Sequence, residues 1–308
     1  MPAIWIPKRL VDLNLINTAG LSRHSFVRHC EFEYESRVYA AAKEIIEENR
    51  HIIMLTGPSA SGKTTTAHKL RDKLISMGKK SRVISLDNFF KNEEDYPRLE
   101  NGEKDYENVT AIELGLFEKC FRELLANGRA KFPEFDFKAE RRIEDAIELE
   151  LDDGFVIVEG IHALNPVLLN LLPKEETFTI YAGLREEYSF RGQRILPTRD
   201  IRLLRRMIRD YKYRGHSPQK TISMWQAVCD GEDKYIKVFK PNADLLLDTS
   251  FSYEILIMHS VLKDFEEFSW DDTPEGQRLA HLLKVFDNLG FLPLGILPQN
   301  SMLCEFFK

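Results

Sequence analysis

The sequence predicts an α/β fold: a parallel sheet flanked by helices, with an inserted β-hairpin and an arginine-rich helix late in the chain. Three observations predict it. Short, uninterrupted apolar runs alternate with helical patterns from about residue 50 to 250. Such runs suit strands covered on both faces, because a half-exposed strand would alternate apolar with polar residues. The first run leads directly into a glycine-rich turn and then a helical pattern. Finally, the alternation is broken at only two places, one strand-like and one crowded with arginine.

The strands are expected at 52–56, 82–86, 155–158, 178–182 and 244–248. The first break, 128–154, carries Pro133, the strand-like Phe132, Phe135 and Phe137, an alternating stretch at 147–151, and Asp152-Asp153-Gly154, and reads as an inserted β-hairpin. The second, 185–216, holds nine arginines and a helix over about 199–213. Residues to about 33 read as irregular, and 34–49 as an amphipathic helix. Another helix is expected at 251–264, and the tail after Pro274 reads as a packed extension. The organisation is therefore an N-terminal extension (1–45), a main domain (46–250) and a C-terminal helical extension packed on it (251–308). In such sheets ligands sit beyond the carboxyl ends of the strands, so the residue after each run is where chemistry belongs.

At 308 residues the chain can bury a sizeable core. Its net charge of −6 argues against nucleic acid as the main partner. Cys30, Cys120, Cys229 and Cys304 lie far apart with no C-x-x-C pair, which suits reduced thiols in a cytoplasmic protein. No apolar run approaches the roughly 20 residues of a membrane span, and Met-Pro-Ala-Ile-Trp-Ile-Pro has no signal-peptide pattern.

Residues 57–64, Gly-Pro-Ser-Ala-Ser-Gly-Lys-Thr, complete a G-x-x-x-x-G-K-[ST] phosphate-binding loop. Ile52-Ile53-Met54-Leu55 precedes it, and Ala67, Leu70, Leu74 and Met77 follow at helical spacing. Strand, turn and helix N-terminus together aim backbone N–H groups and a positive dipole end at one point. The sheet is thus of the P-loop NTPase type, with Gly57, Ser59, Ala60, Ser61, Gly62, Lys63, Thr64 and Thr65 as the nucleotide-binding set. Lys63 is expected to reach the β- and γ-phosphates, and the Thr64 hydroxyl to ligate Mg²⁺.

Asp87 ends the second strand, where a carboxylate would face the γ-phosphate and could accept the proton of an attacking hydroxyl. Glu159 ends the third, a place suited to holding Mg²⁺. His162 nearby reads as an ordinary structural histidine. In the arginine-rich helix Ile201, Leu204, Ile208 and Tyr211 share one stripe. Arg202, Arg206 and Arg209 share an adjacent stripe with Arg205 beside them, so one face packs while the other presents guanidinium groups to phosphoryl charge. Phe90, Asp105, Tyr106, Phe135 and Phe137 supply aromatic faces for a flat base and a carboxylate for ribose hydroxyls, although each aromatic alone is more often core.

Together these residues resemble the uridine kinase branch of the phosphoribulokinase/uridine kinase family. The stretches that carry the likeness are GPSASGKTTTAHKL, SLDNFF, ENGEKDYENVTAIEL, FPEFDFKAERR, VIVEGIHALNP and DIRLLRRMIRDYKYRGHSPQKTISMW, covering roughly 50–250. The ending PQNSMLCEFF resembles a longer bacterial subgroup, in which a threonyl-tRNA-synthetase-like regulatory domain precedes the kinase; residues 1–45 would be a remnant of it. The resemblance implies phosphorylation of a nucleoside 5′-hydroxyl by ATP or GTP with Mg²⁺. It implies Lys63 and Thr64 on the triphosphate and metal, Asp87 as general base, and Asp105 on the ribose diol. Phe135 and Phe137 would lie beside the base, Arg206 and Arg209 would act from the lid helix, and Arg214 would lie near the adenine or phosphates. Where animal-type uridine–cytidine kinases read the pyrimidine with a tyrosine and a histidine, this chain places Phe135 and Glu140, which leaves the base open. The family's habit of forming dimers or tetramers makes a homo-oligomer the matching expectation.

Overall fold

The computed structural model of the chain describes residues 7–98, 102, 105, 108–268 and 272–308. It opens with strand β1 (Arg9–Asp12), helix α1 (Leu13–Gly20) and a long helix α2 (Arg23–Glu48). Next come β2 (Ile52–Thr56), α3 (Lys63–Ser76), β3 (Ser81–Ser85) and α4 (Leu114–Asn127). The antiparallel pair β4 (Arg129–Asp136) and β5 (Arg141–Glu150) precedes β6 (Phe155–Glu159), the short α5 (Pro166–Leu169) and β7 (Thr177–Gly183). Strands β8 (Glu186–Phe190) and β9 (Gln193–Leu196) then lead into α6 (Thr198–Arg214) and α7 (Pro218–Tyr235). The chain closes with β10 (Leu245–Asp248), α8 (Glu254–Leu262), α9 (Pro274–Lys284) and α10 (Cys304–Phe307).

The main sheet is five-stranded and parallel, in the order β10-β7-β2-β6-β3. Every residue of β2, β6 and β7 is buried, as expected of strands packed on both sides. Successive side chains of one strand serve opposite faces. Ile53 and Leu55 join a core with α2, α3, α6 and α8, whereas Ile52 and Met54 join one with α4 and the hairpin. The sheet of the P-loop type that the sequence predicts is present. So is the hairpin, with its register broken between Phe132 and Glu134, at Pro133, which cannot donate a ladder hydrogen bond.

Two expectations fail. The stretch to about residue 33 is not irregular: it forms β1 and α1, and α2 begins at Arg23 rather than at 34. Asp12 caps α1 by accepting from the Asn14 N–H at 2.8 Å, and Tyr34 and Val38 on α2 are completely buried. Residues 185–198 also contain structure not expected. Strands β8 and β9 form a hairpin that β1 extends into a second, three-stranded sheet, with Arg9 beside Glu186 and Val11 beside Tyr188. These strands are four or five residues long and rich in charge, so their periodicity is faint; pairing across most of the chain is what makes them strands. Helix α7, capped by the Ser217 hydroxyl with Pro218 in its first turn, is a further element the sequence patterns do not announce. No helix among the described residues is long and apolar enough to cross a membrane.

Candidate active site

Between β2 and α3 the phosphate loop folds back on itself because Ala60 and Gly62 both take left-handed backbone angles, φ 57° and 82°. Two glycines are forced by space. A Cβ on Gly62 would lie 2.4 Å from the Met302 sulfur, and one on Gly57 would lie 2.3 Å from the Ala182 carbonyl oxygen. Lys63 then starts α3, so the loop amides and the helix N-terminus converge, as anion binding requires. Thr65 Oγ1 donates to Glu305 of α10 at 2.6 Å.

The loop is gripped from behind. The Ser59 N–H donates to Glu232 on α7 at 2.9 Å, and Arg202 donates to the Ser59 carbonyl at 2.9 Å. Arg202 itself forms a buried two-pronged pair with Glu232, at 2.5 and 2.8 Å. Arg205, fully buried, pairs with Glu254 at 2.7 Å and also donates to the Thr249 carbonyl. The face of α6 that sequence periodicity offers to phosphate is thus only partly free for it. Arg202 and Arg205 are internal braces, because the acids that hold them come from α7 and α8, far along the chain.

Arg206 remains on the loop side, and Arg209 follows it along α6. Arg206 Nη1 donates to the Ser59 hydroxyl at 2.9 Å. Arg206, Arg209 and Arg214 all lean on one buried carboxylate, Asp210, at 3.2, 3.2 and 3.4 Å. Three guanidiniums around one acid leave a net positive cluster. Burial, together with the neighbouring Arg209 and Arg206, pulls Arg214 below its ordinary pKa.

Across the loop stand the two strand-end acids. Glu159 is buried; it accepts from the Thr64 hydroxyl at 3.2 Å and from the Ser85 hydroxyl at 3.3 Å. Asp87 opens a turn whose cap is Ser85. Burial, and then the Glu159 charge, push its carboxyl up to about 6, against the pull of Lys63. That cross-talk puts Asp87 within electrostatic reach of both Glu159 and Lys63. The hydroxyl and carboxylate oxygens of Thr64, Glu159 and Asp87 are hard donors of the kind Mg²⁺ takes. Among the described residues no group of three or more His, Cys, Asp or Glu could hold a metal ion by itself.

The acceptor side is an aromatic cluster at the hairpin. Phe90 meets Phe135 edge-on at 5.8 Å between ring centroids, Phe137 at 6.5 Å and Tyr96 at 5.8 Å. Phe137 is 62% exposed and Phe90 and Phe135 are partly exposed, whereas Tyr96 is buried, so the cluster is an open aromatic edge of the core. Asn88 and Arg142 hold it in place: the Phe135 N–H donates to Asn88 Oδ1 at 3.4 Å, and Arg142 Nη1 donates to the Phe90 carbonyl at 3.2 Å. Asp105 is half-buried, and its N–H donates to the Pro97 carbonyl at 2.8 Å, which ties it next to Tyr96. Tyr106 lies outside the described residues. Glu140 sits exposed in the hairpin turn with φ 49°. His162 is buried against Tyr235, in keeping with a structural role. Sequence reasoning missed Ser85, Asn88 and Glu232. Ser85 ends β3, two residues before Asp87, so the strand-end rule would have flagged it, but nothing local marks Glu232.

A parallel sheet whose central strand feeds a phosphate loop, faced by strand-end acids and an arginine-bearing helix, defines a P-loop phosphotransferase. The chain belongs to the phosphoribulokinase/uridine kinase family, whose model matches residues 52–172 and 194–253. A uridine kinase of Lactobacillus johnsonii is 27% identical over 207 residues, spanning 67% of this chain and 90% of that protein. A uridine kinase of Saccharomyces cerevisiae is 29% identical over 217 residues, spanning 68% of this chain and 40% of the yeast protein. A crystal structure from Silicibacter sp. TM1040, assigned as a fructose transport system kinase, shares the fold at TM-score 0.51 and 18% identity, covering 68% of this chain and 98% of that one. The chain is accordingly an ATP-dependent kinase of this family, acting on a nucleoside or another small alcohol.

Proposed function

We propose that the enzyme transfers the γ-phosphoryl group of ATP to the 5′-hydroxyl of a pyrimidine nucleoside, with uridine the first choice. The observation that carries this reading is the electrostatic grouping of Asp87 with Lys63 and Glu159, together with an aromatic cluster centred on Phe90, three residues after Asp87. Of the cations near the hairpin turn, Arg142 is committed to Glu144 and the Phe90 carbonyl, while Lys138 and Arg141 point to solvent. A sugar phosphate acceptor would need such cations at the pocket itself. The uridine kinase relatives support the nucleoside.

In this reading Lys63 and the loop amides hold the β- and γ-phosphates, and Arg206 and Arg209 spread the charge that develops on the transferring group. Asp87 accepts the proton of the attacking 5′-hydroxyl, a task suited to a carboxyl poised near neutrality. Asp105 holds the ribose diol, while Phe90, Phe135 and Phe137 flank the base. Arg214 lies toward the adenine end of the donor. Thr64 and Glu159 would hold Mg²⁺, which when bound neutralises phosphate charge and aligns the triphosphate.

The test is a coupled ADP-release screen over uridine, cytidine, the purine nucleosides and several sugar alcohols. Uridine or cytidine should give the highest kcat/KM. Stimulation by a sugar alcohol alone would overturn the nucleoside assignment, and stimulation by none would point to a nucleotide-gated regulatory protein instead.

A further inference from the structure

Behind the phosphate loop lies a cavity of about 450 Å³ that the proposed reaction does not use. Its wall includes Pro58 of the loop, but none of Lys63, Thr64, Asp87, Glu159 or Arg206 lines it. Arg185 and Arg202, both nearly inaccessible, form its floor. Lys8, Arg194, Arg199, Lys237 and Lys240 surround the opening. Against these seven cations stand two lining carboxylates, each shared by two of the rim cations. Glu187 takes Lys8 at 2.6 Å and Arg194 at 3.0 Å. Asp233 takes Arg199 at 3.0 Å and Lys237 at 2.8 Å. Glu232, under the floor, is matched by Arg202. The lining therefore carries a large excess of positive charge in a concave, partly dry space. Such an arrangement is costly without an anion and concentrates phosphates from solution.

The charge registers on the cavity's own groups. Lys240, seated over the Tyr181 ring at 5.3 Å, is held down to about 8 by burial and then by Arg185, Lys8 and Lys237. Part of the lining lies outside the stretches that match the family model, while Arg194, Arg199, Arg202, Asp233, Lys237 and Lys240 lie within them. Lys8 comes from the N-terminal segment, and Tyr181, Arg185 and Glu187 come from 173–193, all outside the stretches that match the family model.

We propose that this cavity is a second anion site, separate from the phosphate loop, that takes a small ligand bearing two or more phosphates. Bare polyphosphate and a nucleotide share that chemistry.

The experiment is calorimetric titration of pyrophosphate, at fixed ionic strength, into the full chain. Two molecules should bind per wild-type chain, and one per chain in both Lys63→Ala and Lys240→Glu. The double variant should bind none, and Lys240→Arg should restore the second site. Circular dichroism and basal phosphotransfer verify that Lys240→Glu is folded; if it is not, Lys8→Gln with Arg194→Gln should weaken the second site at least tenfold. Repeating the titration on Lys63→Ala with ATP and UTP distinguishes the ligands: tighter binding than pyrophosphate assigns a nucleotide, and equal binding assigns the polyphosphate alone. A single wild-type site that Lys63→Ala removes, or a second site indifferent to both rim changes, would overturn the proposal.

Discussion

Replacing Asp87 with Asn tests the proposed chemistry most directly, because one residue should change activity, pH dependence and stability in different directions. A positioned general base contributes roughly 10²- to 10⁴-fold, so kcat of Asp87→Asn should fall by that factor. The pH profile follows from the carboxyl's position at about 6 rather than its ordinary 3.8. At pH 7 about nine-tenths of the enzyme then carries the ionised base, and at pH 5 about one-tenth. Wild-type kcat/KM should therefore drop about tenfold between pH 7 and pH 5, whereas a carboxyl near 3.8 would lose almost nothing there. The stability effect has the opposite sign. A carboxyl raised in the folded state is penalised when ionised; the penalty is absent below 3.8, where both states are protonated, and complete above about 6. At about 1.4 kcal/mol per pH unit its ceiling is roughly 3 kcal/mol. Asp87→Asn should remove the penalty, raising the melting temperature at pH 7 but not at pH 3.5. Steady-state phosphotransfer from pH 5 to 8, with thermal denaturation of both proteins, measures all three. Less than a twofold wild-type loss at pH 5, or a variant retaining more than a tenth of kcat, would refute the assignment of Asp87 as base.

Three further outcomes follow from the same geometry. Arg205→Ala strands the fully buried Glu254 and should cost about 3–5 kcal/mol in urea unfolding, since removing one partner leaves an uncompensated charge. Gly62→Ala puts a Cβ 2.4 Å from the Met302 sulfur at a φ of 82°, and should raise the KM for ATP at least tenfold; adding Met302→Ala should recover part of that loss, because the clash goes but the backbone strain stays. Phe135→Ala and Phe137→Ala each remove a face for base stacking worth about 1–3 kcal/mol, so nucleoside KM should rise roughly 5- to 150-fold with kcat changed less than threefold.

What the sequence determined by itself is local. A phosphate loop is a contiguous string whose glycines, lysine and threonine act through backbone geometry over eight residues, so Gly57 to Thr64 can be read directly. Continuous apolar runs such as Ile52–Leu55 and Phe155–Val158 must be buried on both faces, which fixes a parallel sheet and makes Asp87 and Glu159 strand-tip residues. Tertiary structure decided whatever depends on a distant partner. Arg202, Arg205, Arg206 and Arg209 look alike along the helix, and only Glu232, Glu254 and Asp210 separate the braces Arg202 and Arg205 from Arg206, which reaches the Ser59 hydroxyl, and Arg209. The strands β1, β8 and β9 exist because hydrogen bonding joins segments about 180 residues apart, and four- or five-residue charged stretches carry no periodic signal of that. The elevated Asp87 carboxyl is likewise a property of the folded chain, since burial and a neighbouring Glu159 arise only when the strand tips come together.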